Sequence, residues 1–386
     1  MLKKKYFVCL PSKQGTVVDE CRQCLNRLAK SIPSEQKIVK LNIFADLPDY
    51  QTLTRARVEI SDLIASIFHE IRPAYNIIVQ PPEKPWKVTV ETLTVTPLSG
   101  SLITRFHGEI PYVVMDSDDS KEIWAAGLDN RLFPDDTRKA AEFGFDQVRE
   151  ILEAENMSLN HIVRQWNYIG NILTVKNGYQ NYQVFNEVRS EFYELYRNVK
   201  MFPAATGVGM KYGGVNLDFH AVKSDKKLSV FPVDNPAQIN AYCYGQNVLR
   251  GNPRNGNTVK NPPQFERALL MHSDANPVLY VSGTASILGQ KTVGLNDVAR
   301  QAEVTIDNIN KLADYNRIRR ISGKNNITGL ECLFIRVYVK NTQDFQTVRS
   351  ICNRNFPSVP SVFIEADICR DDLLVEIEAE YNVIME

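Results

Sequence analysis

The chain has 386 residues, 45 Lys+Arg against 45 Asp+Glu, 44% hydrophobic residues and 23% charged residues. This ordinary globular composition excludes a fibre, a collagen and a disordered chain, and the length points to two or three domains or to one fold repeated. A formal net charge of zero leaves no basic excess for nucleic acid, and no apolar run approaches the roughly 18–20 residues that span a bilayer.

In chain order, the apolar stretch after Met1-Leu2-Lys3-Lys4-Lys5 breaks at Pro11, too short for a signal peptide, and reads as a first β-strand. A helix follows over Val17–Ile32, then a strand over Lys37–Asp46. Asp49-Tyr50-Gln51-Thr52-Leu53 opens a helix to about Ile71, and two strands close the unit, Tyr75–Gln80 and Lys87–Val95. The middle of the chain repeats this order. A helix (Thr137–Glu155) precedes a strand (His161–Ile172), Tyr182–Asn186 lie on a helix to about Arg197, and strands follow at Pro203 and over Val215–Val222. The last third repeats it again: a helix (Asp297–Asp314), a strand (Leu330–Asn341), Asp344-Phe345-Gln346-Thr347-Val348 opening a short helix, and strands over Ser361–Cys369 and Leu373–Tyr381. The strands alternate apolar and polar residues with period 2, and the helices carry apolar stripes at 3.6 spacing (Ile60, Leu63, Ile64, Ile67). Three matched orders, with D-(Y/F)-Q-T-(L/V) at the same point in two of them, predict a repeated α+β unit with helices on one face of a mixed sheet. The expected division is 1–98, 99–226, a long loop or lid over 227–264, and 265–386. The loop reading rests on its length and on Asn-Gly and Pro-Pro breakers.

Seven scattered cysteines do not form a disulfide framework and suggest a reducing, cytoplasmic compartment. Cys21 and Cys24 make a C-x-x-C inside a helix, with no second pair at zinc spacing, and read as packed thiols. Gly207-x-Gly209 is followed by a strand rather than a helix, so it is no dinucleotide fingerprint. Trp86, Trp124 and Trp166 read as core or interface residues, and Asp116–Asp119 as a solvated turn.

The stretch Val281–Asp314 and the ending Ala366–Ala379 resemble the YjgF/RidA family, whose small α+β units form trimers with sites between neighbours. The resemblance implies a chorismate mutase-like fold arranged as a pseudo-trimer within one chain. In that family an arginine opens the penultimate strand and a glutamate lies in the last strand. Here the arginine position falls near Tyr75, Ala205 and Ser361, and the glutamate position on Glu91, His220 and Glu378. Without the arginine, an imine deaminase is disfavoured. A narrower resemblance is to the chorismatases. It is carried by Arg164-Gln165-Trp166-Asn167-Tyr168, Tyr182-Gln183-x-Phe185-Asn186, Pro203-Ala204-Ala205-Thr206-Gly207, Asn235-Pro236-x-Gln238-x-x-Ala241-Tyr242-x-Tyr244, Phe265-x-Arg267-Ala268, Ser282-Gly283-Thr284-Ala285 and Ala366-Asp367-Ile368-Cys369-Arg370. The stretch Gly245–Asn261 departs from it.

This resemblance implies cleavage of the enolpyruvyl ether of chorismate, giving pyruvate and either a dihydroxycyclohexadiene carboxylate or a hydroxybenzoate, without metal or other cofactor. The family's catalytic glutamate is carried onto Glu378 as general acid. Glu376, two residues earlier, shares its face, and two like charges there push one pKa up. Glu376 otherwise reads as a solvated strand residue. The substrate's carboxylates call for arginine forks, with Arg164, Arg267 and Arg336 as candidates, each otherwise an internal salt bridge. Gln238, Tyr242 and Tyr244 are candidate hydrogen-bond donors, or packing groups. Gly283 and Thr284 present backbone N–H groups to an anion or make a tight turn. The expected partner is a small anionic molecule, with neither nucleic acid nor membrane, in a monomer or small homo-oligomer. A carboxylate-binding protein without turnover remains the alternative from another class.

Overall fold

The computed structural model describes residues 3–97, 100–117, 119–129, 133–198, 200–224, 228–253, 258–272 and 277–386. The boundaries expected at 98/99 and 226/227, and Asp118 of the acidic run, lie outside the described residues.

The first sheet contains β1 (Lys3–Cys9), β2 (Lys37–Ala45), β3 (Ala74–Ile78) and β4 (Val88–Thr96), with α1 (Val17–Ser31) and α2 (Tyr50–Ile67) between them. Asp49 caps α2 by accepting from the Thr52 N–H at 2.7 Å, whereas Asp344, at the same point of the repeated phrase, makes no such capping bond and accepts from Asn341 Nδ2 at 3.0 Å. The second sheet contains β5 (Ser101–His107), β6 (Ile110–Ser117), β7 (Ser120–Asp129), β8 (Ile162–Gly170), β11 (Ala204–Met210) and β12 (Val215–Ser224). Its helices are α3 (Thr137–Ala154) and α4 (Asn181–Tyr196), and a small hairpin, β9 (Val175–Lys176) with β10 (Tyr179–Gln180), precedes α4. The third sheet contains β13 (Ser229–Val233), β14 (Ala268–His272), β15 (Val278–Ala285), β18 (Ile327–Val339), β19 (Ser361–Glu365) and β20 (Val375–Met385). With it go the hairpin β16 (Ile287–Leu288) and β17 (Lys291–Thr292) and the helices α5 (Val298–Leu312), α6 (Tyr315–Ser322) and α7 (Phe345–Asn355).

The strand orders show the repeat directly. The first sheet runs β1-β4-β2-β3, and the same four-strand order appears as β7-β12-β8-β11 and as β15-β20-β18-β19. The second and third sheets each add two antiparallel strands at the outer edge, β6-β5 and β14-β13. The fold is therefore α+β, three like units arranged as a pseudo-trimer within one chain. Three apolar cores lie between a sheet and its helices, built around Leu25 and Ile60, Phe145 and Phe185, and Ile306 and Ile335. A fourth joins the opposite sheet faces of all three units, with Phe44, Ile78, Trp124, Trp166, Tyr168, Phe334 and Tyr338. Deleting such a buried aromatic costs about 3–5 kcal/mol, so the interior shared by the units is an obligatory part of the fold.

Several expectations change. Residues 101–129 form a three-strand meander that the repeat pattern passes over. The segment expected as loop from 227 opens with β13, where Pro232 is tolerated because the strand is at the sheet edge. The strand expected to Cys369 ends at Glu365. Beyond it the chain turns toward the second unit, and the Gly209 N–H donates to the Asp367 carbonyl at 2.8 Å. That approach needs glycine, since a Cβ at 209 would meet Asp367 and Ile172 at 2.8–3.0 Å. Cys21 and Cys24 are buried free thiols inside α1, and the Cys24 thiol donates to the Cys9 carbonyl, in keeping with packing.

Candidate active site

The strand registers align the last strands of the three units residue by residue. Asn42 pairs with Glu91, Trp166 with Asp218, and Arg336 with Glu378. Along the parallel partners the same levels hold Asn76, Thr206 and Val362, preceded by Tyr75, Ala205 and Ser361. The second unit's carboxylate position is thus Asp218, not His220. Opposite Asp218 the extra residue of a β-bulge lies in β7, where the Gly127 N–H donates to Asp218 Oδ1 at 2.9 Å.

Each of these acids is buried and meets a cation from another unit. Arg336 holds Glu91 through Nε at 2.7 Å and Nη2 at 2.5 Å. Lys40 lies 2.8 Å from Asp218, and Arg164 lies 3.0 Å from Glu378. Three ion pairs therefore close a ring through the three units. Breaking one such buried pair from one side costs about 3–5 kcal/mol, because it strands a charge away from water.

Two positions before each acid, the strand faces a cleft between units. The three residues are Thr89, Asn216 and Glu376, and each lines its own cleft. Only the cleft between the second and third units carries a carboxyl there. The cleft and its open mouth together hold about 690 Å³ not filled by atoms. Tyr182, Gln183 and Asn186 from α4 form one wall. Ala205 and Gly207 of β11 and Gly283 and Ala285 of β15 form the floor, Phe265 and Arg267 flank it, and Val248, Leu249 and Arg250 cover it.

Glu376 and Glu378 sit in opposite electrostatic settings. Glu378 accepts from Arg336 at 2.6 Å, Trp166 Nε1 at 2.7 Å, Thr206 Oγ1 at 2.5 Å and Tyr338 OH at 3.3 Å, besides its pair with Arg164. Burial acts to raise its pKa, but the Arg336 and Arg164 charges and these hydrogen bonds outweigh burial and hold it below the usual carboxylate range. Glu376 is 4% exposed and has no hydrogen-bond partner among the described residues. Burial first, and then the neighbouring Glu378 charge, push its pKa up to about 8 against the pull of Arg164 and Arg267. The acidity order of the two carboxyls is thus the reverse of that expected: Glu376 holds its proton at neutral pH and Glu378 does not. Gly283 leaves room for Glu376, since a Cβ at that position would overlap Glu376 Oε1 and make the carboxyl move.

The candidate residues divide into three groups. Glu376, Arg267, Tyr244 and Gly283 line the cleft. Glu378, Arg164 and Arg336 lie behind its floor around a cavity with Tyr6 and Trp166, and Arg164 and Arg336 are committed to protein carboxylates and cannot fork a substrate carboxylate. Thr206 ties the two layers together: its hydroxyl accepts from Arg164 at 2.7 Å and from the Gly283 N–H at 3.1 Å, and donates to Glu378. The Gly283 N–H is therefore not free for an anion. Gln238, Tyr242 and Thr284 do not reach the cleft. Gln238 Nε2 donates to the Ile287 carbonyl at 3.1 Å, Tyr242 OH accepts from Asn240 at 2.8 Å, and Thr284 Oγ1 donates to the Ser282 carbonyl at 2.9 Å.

Arg267 directs Nη2 to Tyr244 OH at 2.7 Å and to the Ile239 carbonyl at 2.5 Å, leaving Nε buried without a partner. Sequence reasoning missed Asn186, Arg250, Cys369 and Arg370. The i, i+4 spacing of Tyr182 and Asn186 on α4 was the available signal for the first. The others come from segments outside regular structure. Burial raises the Cys369 thiol to about 12, so it stays protonated and is no nucleophile at neutral pH. Among the described residues, no helix is long and apolar enough to cross a membrane.

With this geometry in place, comparison with known proteins is informative. The family described as chorismatase FkbO/Hyg5-like, N-terminal, matches residues 104–221. A 3-hydroxybenzoate synthase of Streptomyces hygroscopicus is 34% identical over 233 residues, covering 58% of this chain and 64% of the relative. A chorismatase of the same organism is 32% identical over 220 residues, covering 56% and 60%. The match thus spans less than two thirds of these relatives' own length. A crystal structure of chorismatase superposes with a TM-score of 0.68 at 19% identity, covering 98% of both chains. Residues 104–221 thus match the FkbO/Hyg5-like chorismatase N-terminal family, and the chain as a whole has the fold of the chorismatase crystal structure.

Proposed function

We propose that this protein cleaves the enolpyruvyl ether of chorismate with Glu376, rather than Glu378, as the general acid. The observation that carries the reading is a buried carboxyl, without a hydrogen-bond partner among the described residues, that lines the one inter-unit cleft with an acid at this position and whose pKa burial pushes up. The relatives named for chorismate chemistry supply the substrate class.

Vinyl ether cleavage begins with proton transfer to the terminal methylene carbon, and a carboxylic acid held neutral in an apolar site is suited to deliver it. The Glu376 proton forms the new C–H bond and leaves an oxocarbenium ion, whose positive charge the resulting Glu376 carboxylate stabilises at close range. Water adds to that carbon, returns a proton to Glu376, and the hemiketal collapses to pyruvate and the ring diol. Loss of water from that diol gives a hydroxybenzoate instead. Glu378, fixed as an anion, raises the Glu376 pKa, and Gly283 keeps the space beside the acid clear. Arg267, with its unpartnered Nε and the Tyr244 hydroxyl, receives one substrate carboxylate.

Incubation with chorismate, read by chromatography, tests this. Pyruvate appears together with a ring product, and the retention of that product distinguishes the diol from the hydroxybenzoate. Chorismate left intact by the wild-type protein rejects the reading. Ammonia release from a 2-imino acid would favour an imine deaminase instead.

A further inference from the structure

Chorismate carries two carboxylates, and Arg267 accounts for one. Of the other arginines that line the cleft, Arg370 directs Nη1 to the Gln290 carbonyl at 2.8 Å. Arg250 lines the same cleft, is exposed, and has no hydrogen-bond or ion-pair partner among the described residues. A free guanidinium at a cleft mouth is common on mobile surface loops. Here, however, the backbone on both sides is held.

Gln246 and Lys260 exchange two hydrogen bonds, side-chain Nε2 to the Lys260 carbonyl at 2.9 Å and the Lys260 N–H to Oε1 at 2.7 Å. The Lys260 ammonium donates to the Leu249 carbonyl at 2.5 Å, one residue before Arg250, and the Leu249 side chain is buried. Two residues after Arg250, the Asn252 N–H donates to the Gly178 carbonyl of the β9–β10 hairpin at 2.8 Å. The base of the segment is tied to α4 by Gln183, which donates to the Asn261 carbonyl at 3.0 Å, and to the third unit by the Gly245 N–H on Gln290 Oε1 at 3.0 Å. Arg250, without a partner among the described residues, thus lines the cleft from a backbone that is hydrogen-bonded on both sides, at Leu249 and Asn252.

We propose that Arg250 binds the second carboxylate of a dianionic substrate and so sets the preference of this cleft for dicarboxylates over monocarboxylates. The proposal rests on the chorismate reading for the substrate's identity, but not for its charge pattern. In a chain with no net charge, discrimination of a dianion has to come from placed side chains rather than from a general field.

The test uses the full chain, with isophthalate as a ring carrying two carboxylates and benzoate as a ring carrying one, titrated calorimetrically into wild type, Arg250→Gln and Arg250→Lys. Isophthalate affinity falls about tenfold in Arg250→Gln, the worth of a charge-assisted hydrogen bond, is partly restored in Arg250→Lys, and benzoate loses much less. With chorismate as substrate, Arg250→Gln acts mainly by raising KM. Equal losses for both rings, an unchanged isophthalate affinity, or no isophthalate binding by the wild type overturns the proposal. A wild type that binds isophthalate through Arg250 but releases no pyruvate overturns the chorismate reading alone. Circular dichroism confirms that each variant is folded.

Discussion

Glu376 and Glu378 lie two residues apart on one face of β20, both buried, yet one faces a cleft with no hydrogen-bond partner and the other is held by two arginines, a threonine and a tryptophan. The fixed charge on Glu378 is part of the reason that Glu376 keeps its proton. Two like carboxyls are thus divided between an acid and an anion by what surrounds them.

The two positions respond differently to the same substitution. Glu376→Gln lowers pyruvate release from chorismate by about 100-fold or more, the usual worth of a positioned acid, with the melting temperature maintained or raised. Glu378→Gln removes the anion facing Arg164 and Arg336 and costs about 3–5 kcal/mol of stability. Chemical denaturation beside a pyruvate assay separates the two outcomes.

The pH profile follows from the raised pKa of Glu376. The reactive form is the protonated one, so kcat/KM holds at lower pH and falls as pH rises through about 8. The same shift acts on stability. The folded state keeps a proton that the unfolded chain releases near the ordinary glutamate value, so this group's favourable share is complete below that value and is lost as pH rises toward about 8. Glu376→Gln therefore gains stability relative to wild type between pH 5 and pH 8, read from denaturant midpoints at the two values.

Gly283→Ala places a methyl group where Glu376 Oε1 now lies. The carboxyl must swing away, and a displacement of about 1 Å at a reacting group costs on the order of 100-fold in rate. Pyruvate release at saturating chorismate measures this loss. A variant with undiminished turnover would show that Gly283 plays no part in positioning the acid.

Arg336 sits between Glu91 and Glu378 and ties a strand of the first unit to two strands of the third through one guanidinium. Arg336→Met strands the buried Glu91 carboxylate, leaves Glu378 with Arg164 as its cation and lowers stability by about 3–5 kcal/mol. Adding Glu91→Gln removes the stranded charge, so the double variant is more stable than the single one, a coupling that a double-mutant cycle by denaturant unfolding reads directly.

The repeat was legible because its signals are local. Asp49 caps a helix, Ile60 and Ile64 make a helical stripe, and Val88, Val90 and Val95 mark a strand, each through neighbours a few residues away. The strand register was less legible. The second unit's acid lies at Asp218, two positions before His220, because a residue's level in a sheet is set by pairing with a distant strand. Among the site residues, Glu376, Arg267, Tyr244 and Gly283 were identified by type and position, while Arg164 and Arg336 were identified as arginines in need of an anion but not as arginines already supplied with one.

The amino-acid order alone determined three like α+β units, a carboxyl pair on the last strand and a set of arginines able to meet anions. The tertiary structure alone decided which carboxyl keeps its proton and which arginine stays free. Protonation and pairing are set by burial and by charges brought together from residues more than a hundred positions apart, such as Arg164 and Glu378 or Glu91 and Arg336, and no spacing along the chain encodes that meeting.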